Sequence, residues 1–437
     1  MKYYSTRNKD IKVSFSEAVL SGLAADGGLY MPENVPRLPR AFFNNIADMS
    51  LPDVCYAVAS YALRDDVDAT VLRRIVTETM NYEMPLVRLD GEIWAMELFH
   101  GPTMNFKDAG ARFFGRILSY LHRESGKSGK YELSVMVSTS GNTGSAVASG
   151  LLGVPNVHVY VLYPSSVLTP MQEALFTTLG NNVTAIEVNG TIDDCRALTQ
   201  QLLADPEMKA KMHFTSATST NLARLLPHMF HYFWGYASLV RAGVAADNVV
   251  VSVPCGNLGN LFAGLLARGM GLPLKRFVAA ENINHPFVSY LRSGVFEPQY
   301  SEPSIAPALD KGNPRNFERI LSLCGGDVEE LRKTVSGVVM TDEQTEAVMR
   351  NVWMRQHYLL DPHSAVSYGA LVADIKPGEV GLALCTEHPA KLRALVERII
   401  DCPVPLPKRA EPLADMARQV VHVNSGYKSI KNYFLSL

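Results

Sequence analysis

Apolar residues recur along this chain in two rhythms, and the change between them divides it. In the first 85 residues or so, the stretches 15–23, 51–63 and 68–82 carry apolar positions at helical spacing. A glycine turn, Ala25-Asp26-Gly27-Gly28-Leu29-Tyr30, interrupts them. No strand alternates with helix there, which predicts a separate, mostly helical N-terminal domain. From about 131 short β-branched runs take over. Residues 133–138, 157–163, 183–188 and 213–216 read as strands, with helices over 144–152, 170–179 and 192–203 between them. Such alternation predicts consecutive βαβ units on a parallel sheet. A second block repeats the pattern. It starts with a long helix over 221–242, kinked at Pro227, and continues with strands at 248–254, 277–281, 337–340 and 380–386. Helices over 258–269, 341–357 and 365–375 lie among those strands, and Thr341 with Gln344 fits a capping box. Residues 284–335, rich in Pro, Ser and Gly, predict irregular surface structure.

Composition narrows the function classes. The 437 residues suggest about two to four domains. With 47% apolar and 19% charged residues the chain is of ordinary globular type. Lys and Arg number 41 against 43 Asp and Glu, so the basic excess that drives nucleic-acid binding is missing. The six cysteines include no CxxC pair and are too sparse for a disulfide framework, which predicts reduced thiols in a cytoplasmic protein. The N-terminus has no signal-peptide core, and no apolar run reaches the ~20 residues that would span a bilayer, so no membrane role is expected.

Three loops follow predicted strands, where open parallel sheets collect ligands. Ser138-Thr139-Ser140-Gly141-Asn142-Thr143-Gly144 offers hydroxyls, an amide and backbone donors to an anion. Pro254-Cys255-Gly256-Asn257-Leu258-Gly259-Asn260 suits a phosphate at a helix N-terminus, although it matches neither the dinucleotide fingerprint nor a Walker A loop. Cys385-Thr386-Glu387-His388-Pro389-Ala390-Lys391 closes a strongly apolar strand. Taken singly, each is equally an ordinary turn or helix cap. Lys107 stands out, flanked by Phe106 and heading an apolar helical stretch over 109–121. It is either a solvated helix-end residue or a desolvated amine able to form a Schiff base with an aldehyde cofactor. His228 and His231 lie close on one helix without further ligands at metal spacing, and packing is the simpler role for them.

Together and in this order, the four segments resemble the pyridoxal-phosphate enzymes of the tryptophan-synthase-β fold group. The run Glu97-Leu98-Phe99-His100-Gly101-Pro102-Thr103 leading into Asn105-Phe106-Lys107-Asp108 is similar to threonine synthases of the long bacterial type. So are Tyr3-Tyr4-Ser5-Thr6-Arg7 and Asp26-Gly27-Gly28-Leu29-Tyr30. The resemblance covers nearly the whole chain, with little of it in 284–335. It implies an α/β architecture of two doubly wound parallel-sheet domains, fold type II, behind the helical domain 1–85. The small domain is expected over 131–218 and the large, cofactor-binding one over 86–130 with 219–437.

The resemblance also implies the site. Lys107 would carry the Schiff base to pyridoxal 5'-phosphate and act as acid and base. Gly256, Asn257, Leu258, Gly259 and Asn260 would hold the cofactor phosphate, and Thr386 would bond the pyridine nitrogen. Ser140, Asn142 and Thr143 would bind the substrate carboxylate and the ring oxygen. Thr103, Asn221, Arg224 and Arg112 would lie against the substrate, with Lys391 a further candidate for its phosphate. The implied reaction turns O-phospho-L-homoserine and water into L-threonine and phosphate in a monomer or homodimer. Two positions depart from the family pattern: Asn142 stands where Asp is common, and Glu387 where Ala is common. Rival readings are a serine/threonine dehydratase, a diaminopropionate lyase, a nicotinamide-dependent oxidoreductase and a non-catalytic binder of phospho-amino acids. No metal is implied.

Overall fold

The run Val249–Pro254 is buried at every position, as a strand covered on both faces must be. In the computed structural model, which describes residues 1–165, 168–244 and 246–437, it lies inside a six-stranded sheet. The strand order is Val335–Val339, Arg276–Glu281, Val249–Pro254, Val380–Cys385, Ile93–Glu97 and Leu86–Asp90. Neighbours are parallel except the last two, which form an antiparallel hairpin. The sequence reading contained no strand over 86–97. Its local signal was Asp90-Gly91, where Gly91 takes φ +50° to close the turn.

A second, five-stranded sheet runs Val420–Asn424, Val183–Asn189, Val157–Pro164, Leu133–Ser138 and Phe214–Ser216, all parallel. Its first strand comes from the C-terminal end of the chain. The helix that follows, Tyr427–Ser436, is fixed to this sheet's own helices through Tyr427 Oη, which donates to Asp205 at 2.6 Å, and the Lys431–Asp205 ion pair at 2.8 Å. This corrects the expected division in which all of 219–437 belongs with the larger sheet. A five-residue edge strand carries no local mark of which sheet it will join.

Two other stretches differ from expectation. Within the N-terminal region, expected to be mostly helical with no strand, Lys12–Ser14, Lys2–Ser5 and Tyr30–Pro32 make a small antiparallel sheet beside the helices Phe15–Ser21, Leu51–Leu63 and Ala69–Thr79. Strands of three or four residues are too short to show a period. The stretch 284–335 contains the helices Pro286–Ser293, Phe317–Leu323 and Val328–Arg332. Pro227 does more than kink its helix: the chain forms Leu222–Leu225 and His228–Arg241 on either side of it. The capping box at Thr341 and Gln344 forms as expected.

The helix Lys107–Glu124 crosses the helix Asn142–Leu151, which follows the first strand of the smaller sheet, at very close range. A Cβ on Gly150 would lie 2.7 Å from the Ala111 carbonyl carbon, so only glycine permits this approach. The crossing brings Lys107 to the cleft between the two sheets, at the carboxyl ends of their strands.

Candidate active site

Lys107 is the first residue of its helix, and the loop before it is held by backbone pairing. Phe106 N donates to Thr386 O at 2.9 Å, and His388 N donates to Met104 O at 3.1 Å. The loop after strand Val380–Cys385 therefore fixes the loop that presents the lysine. Lys107 N also donates to Asn105 Oδ1 at 3.1 Å. The Nζ hydrogen-bonds to no described residue. Burial pulls the Lys107 amine down from its ordinary value to about 7, assisted by the positive charges of Arg224, Lys391 and Lys311 and opposed by Glu387. Such an amine exchanges protons near neutral pH.

Beside it, Arg224 is 1% exposed and has no carboxylate partner among the described residues. Its Nη1 donates to Ala217 O at 2.9 Å, while Nε finds no partner. Burial lowers its guanidinium only to about 10, so it stays charged. The close fit of the helices explains the placement: a Cβ on Gly110 would come within 2.3 Å of Arg224 O. A buried cation without a counter-charge costs several kcal/mol unless an anion joins it.

The loop after Val249–Pro254 forms a cradle. Gly256 faces Ala308, and Leu258 takes the left-handed conformation at φ +58° to turn the chain into the helix Gly259–Gly269. Asn257 braces the loop: its Nδ2 donates to Ser219 Oγ at 2.8 Å, and its Oδ1 accepts Arg315 N at 2.7 Å. Asn260 Oδ1 accepts from His231 Nε2 and Tyr232 Oη, both at 2.9 Å, and its buried Nδ2 is left without a partner. Thr386 is buried, and its hydroxyl hydrogen-bonds to no described residue.

The third loop is shaped by Thr139, whose Oγ1 accepts Gly141 N at 3.0 Å and Gly144 N at 2.8 Å. Gly141 holds φ +123°, which a side chain would strain. Ser140 is exposed at the cleft and Thr143 half-buried. Asn142 reaches across to Glu387, donating from Nδ2 to Oε2 at 2.8 Å.

Three residues expected at the substrate are engaged elsewhere. Arg112 lies five residues beyond Lys107, about 140° round the helix at ~100° per residue, and so points away from the cleft. It donates to Thr79 O and Asn81 Oδ1, both at 2.8 Å, in the N-terminal region. Asn221 is fully buried, donates to Val19 O at 2.8 Å and caps the helix Leu222–Leu225. Thr103 Oγ1 donates to the buried Asp108 at 2.6 Å, holding the loop before Lys107 rather than facing the cleft.

Other residues at the site were not singled out for it in the sequence. His363, in an Asp-Pro-His-Ser string that reads as a helix start, lies 3.3 Å from Glu387 through Nδ1. Asp361 is indeed the cap of that helix, accepting the Ser364 and His363 backbone N–H groups. Lys311, from the stretch expected to be irregular, adds positive potential at Lys107. A lone lysine among Pro and Gly gave no signal. Arg319, fully buried, ties Tyr30 O, Thr220 O and Asn316 Oδ1 together under the cradle.

The residues present fit pyridoxal 5'-phosphate. They offer a free amine of lowered pKa, a cradle closed to any side chain at Gly256, an orphaned amide on Asn260 and an unpaired hydroxyl on Thr386. Among the described residues no helix is long and apolar enough to cross a membrane.

Comparison with known proteins agrees. Residues 78–386 match the family model "Pyridoxal-phosphate dependent enzyme", and residues 2–80 match "Threonine synthase N terminus". The chain is 35% identical over 435 residues to threonine synthase of Haemophilus influenzae, covering 100% of both chains. It is 35% identical over 416 residues to that of Escherichia coli K12, covering 95% of each. The crystal structure of the Escherichia coli threonine synthase superposes with a TM-score of 0.89 at 33% identity over 100% of both chains. A pyridoxal-phosphate-bound threonine synthase from Brucella melitensis superposes with a TM-score of 0.94 at 29% identity, covering 99% of this chain and 98% of that one. With a lysine at the head of its helix, a phosphate cradle beside it and relatives matched from end to end, this chain belongs to the threonine synthase family of pyridoxal-phosphate-dependent enzymes.

Proposed function

We propose that this chain, as a threonine synthase, converts O-phospho-L-homoserine and water into L-threonine and phosphate in the cleft between its two sheets. One observation carries the choice of substrate: Arg224, a buried guanidinium without a counter-ion among the described residues, stands beside the lysine amine. A phosphorylated amino acid supplies the missing anion, whereas serine and threonine carry none beyond their carboxylate.

When bound, pyridoxal phosphate supplies an electron sink for charge developing on the substrate carbons. The chain's own residues do the rest. Lys107 would hold the cofactor through Nζ, and once the substrate amine has taken its place there the freed Lys107 amine, poised near neutrality, would take the substrate α-proton and return protons to the carbon chain. The cradle 256–260 would hold the cofactor phosphate, and Thr386 would offer the ring nitrogen a hydroxyl rather than a carboxylate. A hydroxyl does not force that nitrogen to stay protonated. Ser140, Thr143 and one N–H of Asn142 present donors to the substrate carboxylate. Arg224 holds the leaving phosphate, helped by the positive field of Lys311. Thr103, Asn221 and Arg112 act through the loops they brace.

The test is product analysis with the cofactor-loaded enzyme, together with borohydride reduction and peptide mapping. Equimolar threonine and phosphate from O-phospho-L-homoserine, with the reduced cofactor adduct on the Lys107 peptide, are expected. Ammonia release from serine or threonine, with no phosphate from phosphohomoserine, would establish the dehydratase reading instead.

A further inference from the structure

Asn142 and Glu387 lie 245 residues apart in sequence and touch in space. Asn142 begins the helix after the smaller sheet's strand Leu133–Ser138; Glu387 follows the larger sheet's strand Val380–Cys385. The contact crosses the cleft. Glu387 is 1% exposed and Lys391 equally buried. Asn142 Nδ2 donates to Glu387 Oε2 at 2.8 Å, and Asn142 Oδ1 accepts from Lys391 Nζ. Lys391 Nζ also lies 3.3 Å from Glu387 Oε1 and donates to Thr103 O at 3.2 Å. The amide therefore bridges a buried ion pair, and only one orientation of it satisfies both partners.

His363 completes the arrangement. Its Nε2 accepts Ala308 N at 3.1 Å, so the ring proton sits on Nδ1, facing Asp361 at 2.5 Å and Glu387 at 3.3 Å.

Exchanging either residue alone leaves the cluster unbalanced. An aspartate at 142 would set a second carboxylate against Glu387 at hydrogen-bond distance. An alanine at 387 beside Asn142 would leave the buried Lys391 ammonium with neutral acceptors only. With both exchanged together, an aspartate at 142 would take Lys391 directly.

From this geometry, and resting on the function proposed above, we propose that Glu387 is a positioning residue matched to Asn142. It supplies from the larger sheet's side of the cleft the negative charge that faces the buried Lys391 ammonium and orients the Asn142 amide. In doing so it fixes the Asn142 amide with one N–H free for a ligand. This chain thus presents a hydrogen-bond donor where an aspartate would present only acceptors.

A double-mutant cycle tests the pairing, using Asn142→Asp, Glu387→Ala and the two combined, each in the full chain. For the cofactor-loaded enzyme we expect kcat/KM to fall about 100-fold in Glu387→Ala and about 30-fold in Asn142→Asp. Independent effects would multiply to about 3000-fold, whereas the combined variant, which still lacks the Asn142 donor but relieves the charge mismatch, is expected to lose no more than the ~30-fold of Asn142→Asp alone. For the cofactor-free chain, each single substitution is expected to lower Tm by about 5 °C, with the combined variant within about 2 °C of the parent. The absorbance maximum of bound cofactor should shift in Glu387→Ala and return in the combined variant. Multiplicative losses in kcat/KM overturn the proposal. So does a recovery of Tm while kcat/KM stays below that of Asn142→Asp or the absorbance stays shifted, since packing alone would produce it. Should Glu387→Ala not fold, Glu387→Gln takes its place in the cycle. If the parent makes no threonine at all, the functional reading fails, while the cofactor-free melting cycle still decides whether the two residues are paired.

Discussion

Substituting alanine at Gly256 probes the phosphate cradle directly. The added Cβ would lie 2.5 Å from Ala308 O and 3.2 Å from Leu309 Cα. Ordinary contact begins near 3.4 Å, so a displacement of 3.4 − 2.5, about 0.9 Å, is required. The obstacle is backbone, which cannot swing aside as a side chain does. It is also anchored, because Ala308 N donates to His363 Nε2 at 3.1 Å and the neighbouring Ala306 and Leu309 are buried. Overpacking of this kind costs about 1–3 kcal/mol. If the loop relieves the strain by moving away from the cofactor, the same energy appears as about a 5- to 150-fold loss of cofactor affinity at 1.4 kcal/mol per tenfold. Titration of the cofactor-free variant with pyridoxal phosphate, followed by absorbance, reads the affinity, and its Tm reads the strain. Gly129→Ala is the control, since nothing lies within 4 Å of a Cβ there. A Gly256→Ala variant with Kd within threefold and Tm within about 1 °C of the parent would refute the cradle.

Other outcomes follow from the same geometry. Thr386→Ala should lower kcat at least tenfold while Thr386→Ser keeps most of it, because the buried hydroxyl is the group assigned to the ring nitrogen; equal losses count against that role. Arg224→Met should leave the Tm of the cofactor-free chain unchanged or raised, since it removes a buried cation that no carboxylate among the described residues balances. It should also raise KM for phosphohomoserine at least tenfold; an unchanged KM would remove Arg224 from the phosphate site. Burial holds the folded Lys107 amine near 7, below its unfolded value of 10.5, so the unfolded chain binds that proton more tightly. Its destabilising effect is full at pH 7 and below and fades as the pH rises toward about 10. The cofactor-free Lys107→Met variant should therefore melt above the parent at pH 6.5, and the gap should close by pH 10. A gap independent of pH would show that the amine is not desolvated.

Much of this protein was legible in its residue order. Alternating apolar runs gave the α/β class, and Thr341 with Gln344 gave a helix start, because both are local patterns that any tertiary setting preserves. Lys107 and the loops at 138–144, 254–260 and 385–391 could likewise be found, since such loops follow strands, and strand ends are where ligands collect. What the side chains do once there was not local. Arg112, near Lys107 in sequence, turns to the N-terminal region because a helix rotates residues five apart to different faces. Asn221 and Thr103 satisfy buried partners that no nearby residue announces. The end strand Val420–Asn424 chose its sheet by long-range pairing. The contact between Asn142 and Glu387 exists because two sheets, each with its own strand order, bring their loop ends to one cleft. Sequence fixes which groups a loop can offer; the packing of the sheets decides which of them meet, because burial makes each polar group find a partner or leave one for a ligand.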